Sequence, residues 1–266
     1  MAINRGLRSE FVYQVFALLV SFILVHAVYV TTIRPNAEAH IRAEQVRMQA
    51  DKSYVQQRSV FVVLRDYEQE TCFVLMFWAL AILGYKGISI HRQQALLERD
   101  LLQIPPDLPI GQEDVRDLSR RLQALPPAVQ ESLPARTLLT AIERFGASSN
   151  VQDVSTAGRN VCESEAERLE SELSIIRYIA WAIPSVGFIG TVRGIGDALG
   201  QAHRAVEGDI TGVTQSLGVA FNSTFIALVI SIILMFFIHQ LQLMQDRLVL
   251  DTERVVDGQL IRRLKS

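Results

Sequence analysis

Residues 180–198 read A-W-A-I-P-S-V-G-F-I-G-T-V-R-G-I-G-D-A. Within them Ala180, Pro184, Gly187, Thr191, Gly194 and Ala198 follow one another at alternating steps of four and three, so on a helix they form one stripe. Every member is small, hydroxylated or the proline. In lipid there is little hydrophobic drive between helices, and close approach over Gly, Ala, Ser and Thr holds a bundle together. The stripe is therefore a packing face, and it predicts a membrane helix over 175–199. Residues 212–237 repeat the device with Gly212, Ser216, Ala220, Ser223, Ala227 and Ser231, while Val, Phe, Ile and Leu fill the other faces. Asp209 and Asp246 bracket a run free of Asp, Glu, Lys and Arg, well beyond the ~20 residues that cross a bilayer. A second membrane helix over 212–239 follows, joined to the first by a short loop over 200–211.

Upstream, residues 11–33 carry no charge and lie between Arg5 and Arg8 on one side and Arg34-Pro35 on the other, long enough to span. A cleaved signal peptide is the rival reading, since Val25-His26-Ala27 loosely resembles a cleavage site. The apolar run continues past it, however, and Glu10 interrupts the basic leader. Residues 36–70 are rich in Ala, Glu, Gln, Arg and Lys, with Ile41, Val46, Met48 and Val55 among them, and read as polar helix. Residues 71–85 are again uncharged, and Lys86 is expected to snorkel and extend that span to residue 90.

From 91 to 174 the chain is polar and punctuated by Pro105, Pro106, Pro109, Pro126, Pro127 and Pro134, which divide it into short helices. No strand alternation appears. The stretch 150–173 is expected to run unbroken into the helix at 175, and the charged tail 240–266 to continue the last span as helix. The fold class is all-α: a polytopic membrane protein with four transmembrane helices, over 1–35, 71–90, 175–199 and 212–239. Long helices extend into the cytoplasm beside a small helical cytoplasmic region. The loop 200–211 holds only Arg204, whereas the tail holds Arg247, Arg254, Arg262, Arg263 and Lys265, so the basic-side rule puts the tail and both termini in the cytoplasm. Residues 36–70 then fall outside.

A net charge of -2 points to no nucleic acid. Cys72 and Cys162 offer no disulfide framework and read as free thiols. There is no G-x-x-x-x-G-K-[ST] loop, no H-E-x-x-H and no paired-cysteine spacing, so no enzyme, cofactor or metal site is expected. His26, inside the first apolar run, is either a satisfied or interface-facing histidine or a proton relay. Moving an ion through a dry bilayer normally needs a buried carboxylate. At mid-depth the last two spans offer Thr191, Thr224, Ser223 and Asn222, which solvate or coordinate but do not exchange protons near neutral pH.

Two segments, A-I-P-S-V-G-F-I-G-T-V-R-G over 182–194 and A-F-N-S-T-F-I-A-L over 220–228, resemble the MotA/TolQ/ExbB family of ion-driven motor and transport subunits. The family's proline, glycine and G-T-V-x-G pattern corresponds to Pro184, Gly187, Gly190, Thr191, Val192 and Gly194. Its next-helix pattern corresponds to Ala220, Phe221, Ser223, Thr224, Ala227 and Leu228. The resemblance implies a subunit of the bacterial inner membrane that assembles as a ring, usually of five. The ring encloses a dimer of a MotB/TolR/ExbD-like single-span partner whose helix bears an essential aspartate, and it couples proton or sodium flux to rotation or force. Thr191 and Thr224 lie at nearly one depth, which fits a shared polar ring. Ion-path lining and helix packing by hydroxyls both remain open for them.

The chain also departs from the family pattern. TolQ- and ExbB-like members often carry a glutamate five residues before the second-helix threonine, where this chain has Val219, so proton and sodium both stay open. Four spans resemble MotA, while G-T-V-R-G resembles TolQ and ExbB. Arg193 either snorkels to the outer interface or faces the pore mouth, with Asp197 one turn on able to neutralise it. Pro184 reads as a functional bend or a tolerated kink. The glycines Gly187, Gly190 and Gly194, with Ala220 and Ala227, read as packing. A membrane scaffold that keeps the fold and conducts nothing is the second functional reading.

Overall fold

The computed structural model describes residues 3–50, 59–102, 104, 105 and 108–265. Val55 and Pro106, and with them the stretch 51–58 of the expected outer polar helix, lie outside the described residues, as do the side chains of Arg5 and Arg8. The helices are α1 (Ile3–Val28), α2 (Arg34–Ala50), α3 (Val60–Leu64), α4 (Tyr67–Leu97), α5 (Val115–Gln123), α6 (Pro127–Gln130), α7 (Leu133–Ser148), α8 (Val151–Glu172), α9 (Ser174–Gly200), α10 (Ala202–Val206) and α11 (Thr211–Gln259). A π-helical turn, Tyr29–Ile33, joins α1 to α2. Among the described residues the only β feature is an isolated bridge between Ile110 and Leu264. Four helical stretches, Glu10–Met48, Tyr67–Leu97, Val151–Gly200 and Thr211–Arg263, are long and apolar enough to cross a membrane. The chain is thus all-helical with four candidate spans, the coarse architecture its sequence calls for.

The chain divides into two compact units. The first comprises Met1–Leu83 and Ile175–Ile238. In it, Ala17, Ser21, Val25, Tyr29, Ile33 and Ala37 are buried at every fourth position, while Phe11, Phe16, Phe22, Ile23 and Leu24 point outward as residues facing lipid do. Tyr13 donates its hydroxyl to Ala81 O at 3.0 Å and Trp78 Nε1 donates to Gln14 O at 2.9 Å, while His26 meets Glu70. Rising numbers on α1 meet falling numbers on α4, so the two helices run antiparallel. The same reasoning makes α9 and α11 antiparallel, since Ala180 meets Ser231 and Gly194 meets Ala220. Asp209 Oδ1 accepts from Thr211 N at 3.1 Å and caps α11; the Thr211 hydroxyl and amide hold this carboxyl below the usual carboxylate range.

The π-helical turn has a geometric consequence. His26 and Arg34 are eight residues apart and, at about 100° per residue, would point about 80° apart on an unbroken α-helix. Arg34 N–H bonds back to Tyr29 O, an i→i−5 closure that takes up one residue more than an α-turn. Both side chains therefore fall on one face and grip the same carboxylate, Glu70.

The second unit comprises Gly84–Ser174 and His239–Ser266. Its core gathers Leu118, Leu122, Leu138, Ile142, Phe145, Val154, Val256 and Leu260 with neighbours from 102–110. The prolines act as the sequence suggests, with Pro127 opening α6 and Pro134 lying in the first turn of α7, where a missing N–H costs nothing. Asn150 Oδ1 accepts from Gln152 N at 2.9 Å and starts α8. Glu165, buried, is held between Arg136 at 2.6 Å and Arg168 at 2.5 Å.

Three local expectations differ. Lys86 is buried and ion-paired to Glu172 at 2.8 Å, so it does not snorkel; a partner on α8 satisfies its charge. The junction of α8 and α9 is broken at Leu173, a turn residue that is fully buried. The tail leaves α-helix at Gln259, because Leu260 turns into the core and Ile110 N donates to Arg263 O at 2.8 Å while Lys265 N donates to Ile110 O at 3.0 Å.

Candidate functional site: the glycine seam and its carboxylate edge

The first unit holds a seam in which two helices approach more closely than side chains ordinarily permit. A Cβ at Gly194 would stand 2.7 Å from Ala220 N and 2.7 Å from Ser216 O, and one at Gly187 would collide with the Ala227 methyl and stand 3.1 Å from Ser223 O. A Cβ at Gly190 would stand 2.5 Å from Ser223 Oγ. Only glycine fits these positions, whose neighbours are partly backbone and cannot step aside. Gly187, Gly190 and Gly194 of α9 thus lie against the buried Ala220, Ser223 and Ala227 of α11.

Close approach brings the hydroxyls together. Thr191 Oγ1 and Thr224 Oγ1 are hydrogen-bonded to each other. Thr191 also reaches Ala220 O at 3.0 Å and Gly187 O at 3.3 Å, and Thr224 reaches Gly187 O at 3.2 Å. Ser223 Oγ, fully buried, donates toward Ala220 O at 2.9 Å or Gly187 O at 3.2 Å. Three hydroxyls therefore gather around two main-chain carbonyls, one from each helix. Asn222 stands apart, half-buried on another face of α11.

Pro184 shows how the seam absorbs a missing donor. Proline has no N–H to give to the carbonyl four residues back, which leaves Ala180 O without its usual helical partner. Ser231 Oγ on α11 donates to that oxygen at 3.3 Å. The helix α9 runs through Pro184 without interruption.

At one edge of the seam Arg193 is bound in bidentate fashion by Glu68, with both N···O distances 2.8 Å. The side chain of Glu68 is 11% exposed and that of Arg193 43%. The stem of Glu68 presses on the motif itself, because a Cβ at Gly190 would also stand 3.0 Å from Glu68 Cγ. Ser223 Oγ and the Glu68 stem thus share the space beside one glycine. The Arg193 partner is therefore Glu68 of α4, which sequence spacing cannot reveal, and Asp197 of the same helix is not the residue that binds it.

Two residues on from Glu68, Glu70 faces α1. Its side chain is 8% exposed, His26 Nδ1 lies 2.7 Å from Oε1, and Arg34 Nη2 donates to Oε2. The Arg34 guanidinium also lies over the Tyr67 ring, 4.4 Å from its centroid. His26 thus has a carboxylate partner at Nδ1. Glu68 and Glu70 are the residues that reading by segment overlooks: they sit at the end of the polar stretch 36–70, and their two-residue step on a helix sends them to opposite sides, one to α9 and one to α1.

Residues 129–254 match the model of the MotA/TolQ/ExbB proton channel family. No curated protein and no solved structure matches the chain. The matched region contains the glycine seam, all three clustered hydroxyls and Arg193, while Glu68, Glu70 and α1 lie before it. The match covers close to half of the chain, and over that region the chain is similar to this family.

Proposed function

We propose that this chain is the multi-span subunit of an ion-driven motor in the bacterial inner membrane, coupling proton or sodium flux to rotation or force on a MotB/TolR/ExbD-like partner. The observation that carries the reading is the contiguous cluster of Thr191, Thr224 and Ser223 at a glycine-only seam inside the family-matched region. Hydroxyls of this kind solvate or hand on a cation; a partner aspartate would supply the proton-exchanging group. The assembly in this reading is a ring, five-fold by the family resemblance, around a dimer of single-span partners. Both termini and residues 91–174 are cytoplasmic, as the distribution of Arg and Lys supports. Asn222, which has no place in the cluster, is assigned to the ion path or to a ring neighbour only as part of this proposal. Pro184 is assigned a bend that lets α9 follow the partner helix.

One observation favours the scaffold reading: the threonine hydroxyls find partners within the chain, on Gly187 O and Ala220 O. A satisfied hydroxyl pair is a helix clamp, and a clamp needs no ion. Flux decides between the two. Proteoliposomes holding the chain with its single-span partner are compared for wild type, Thr191→Val and Thr224→Val under separate sodium and proton gradients. Loss of partner-dependent flux in both variants, with assembly intact, supports the motor subunit and names the ion. Flux equal to wild type in both variants removes the hydroxyls from the path.

A further inference from the structure

Hydroxyls do not exchange protons near neutral pH, and the seam itself carries no acid. The structure nevertheless brings one to it. Glu68 lies against Gly190 beside Ser223, its side chain is almost withdrawn from the surface, and both oxygens are occupied by Arg193. A carboxylate so placed needs one positive partner at all times, and the partner it has sits on a long, flexible and half-exposed stem. The helix of Arg193 offers that stem a second anchor, since Asp197 lies one turn on at the i+4 position.

We propose that Glu68 is this chain's own cation-exchanging carboxylate at the edge of the hydroxyl cluster. Arg193 is its resident counter-cation, released toward Asp197 when a monovalent cation, a proton or sodium, takes its place. The inference rests on the channel reading. It extends that reading to α4, outside the family-matched region, and assigns the ion-binding acid to a residue of this chain in addition to the partner's aspartate. The exchange balances in charge: one cation arrives at Glu68, two hydrogen bonds from Arg193 break, and the guanidinium pairs with a carboxylate that was in water. The charged groups around Glu68 are Arg193 and Asp197 on α9, Glu70 on its own helix, already bound by His26 and Arg34, and, just before that helix, Asp66, which is paired with Arg65 at 3.4 Å. In the seam α11 contributes Ser216, Ser223 and Thr224 and no charge.

A purely structural clamp between α4 and α9 would show the same ion pair, so the test separates the two. The full chain with its partner is reconstituted as wild type, Glu68→Gln, Arg193→Gln and the swap carrying Glu68→Arg with Arg193→Glu, and assembly is checked by gel filtration. Glu68→Gln is expected to lower flux by about tenfold or more with assembly retained, and Arg193→Gln to shift the proton or sodium concentration for half-maximal flux by about tenfold, the size of one unit in cation affinity. The swap restores a clamp while moving the acid to α9, so it is expected to assemble and conduct poorly. Wild-type flux from the swap, or unchanged flux and ion dependence in Glu68→Gln, overturns the inference and leaves the channel reading standing. Absence of flux from assembled wild type overturns the channel reading first. Should Glu68→Gln fail to assemble, Glu68→Asp takes its place: a changed half-maximal ion concentration supports the exchange site, and an unchanged one refutes it.

Discussion

At Gly194 a single methyl group meets main-chain atoms of α11 at 2.7 Å on two sides. Gly194→Ala is expected to cost about 1–3 kcal/mol, the usual penalty of overpacking. Gly196, two residues on, has nothing within reach of an added Cβ, so Gly196→Ala is expected to change stability by less than about 0.5 kcal/mol. Thermal unfolding in one detergent checks the pair. Both glycines lie in the stretch 180–198, and its stripe already separates them, because Gly194 falls on the four-three pattern and Gly196 does not. Thr191 and Thr224 share one hydrogen bond and one acceptor, so the stability losses of Thr191→Val and Thr224→Val are expected to be non-additive by about 0.5 kcal/mol or more in a double-mutant cycle. Strict additivity would mean that the two hydroxyls act separately. That these threonines share a depth was legible from their positions along the spans. That they bond the same carbonyl was not, since it depends on helix rotation.

At the scale of elements, the packing of α1 on α4 turns on Glu70. Breaking a buried ion pair by removing one partner leaves an uncompensated charge and costs about 3–5 kcal/mol, so Glu70→Gln, which strips both His26 and Arg34 of their carboxylate, is expected to destabilise the α1–α4 contact strongly. A cysteine pair replacing Tyr13 and Ala81, whose contact at the other end spans a tyrosine's length, is expected to be joined less efficiently by a bifunctional thiol reagent in that variant. Deleting Thr31 from the π-helical turn tests the same element by another route: seven residues of regular α-helix bring His26 and Arg34 to within about 20° of one face, so the cross-link should persist. The existence and type of the long apolar helices could be read from hydropathy and spacing alone. The π-turn could not, because it answers to a carboxylate that lies far away in sequence. Lys86 illustrates the same limit: a lysine at the end of an apolar run reads as snorkelling until the fold supplies Glu172.

For the whole molecule, the four apolar helices and the family-matched region follow from runs of residue types, and these the sequence declares openly. What it withholds is which acids meet which bases, since side-chain partners separated by more than a hundred residues, such as Glu68 and Arg193, are chosen by packing. Topology offers a prediction at this scale: with four spans, single cysteines at Val206 and at Arg262 are expected to react with an impermeant thiol reagent from opposite sides of the membrane. Val206 is exposed in the short connection before α11, and Arg262 lies in the charged tail. Labelling of both from one side would reject the four-span arrangement.

The most direct test of the proposed ion-driven subunit is gradient-driven ion uptake into vesicles holding the chain alone, the chain with the proposed single-span partner intact, and the chain with that partner carrying asparagine in place of the membrane aspartate the proposal gives it. Uptake only with the intact partner is the predicted result. Equal uptake in all three preparations, or none in a fully assembled complex, would contradict it.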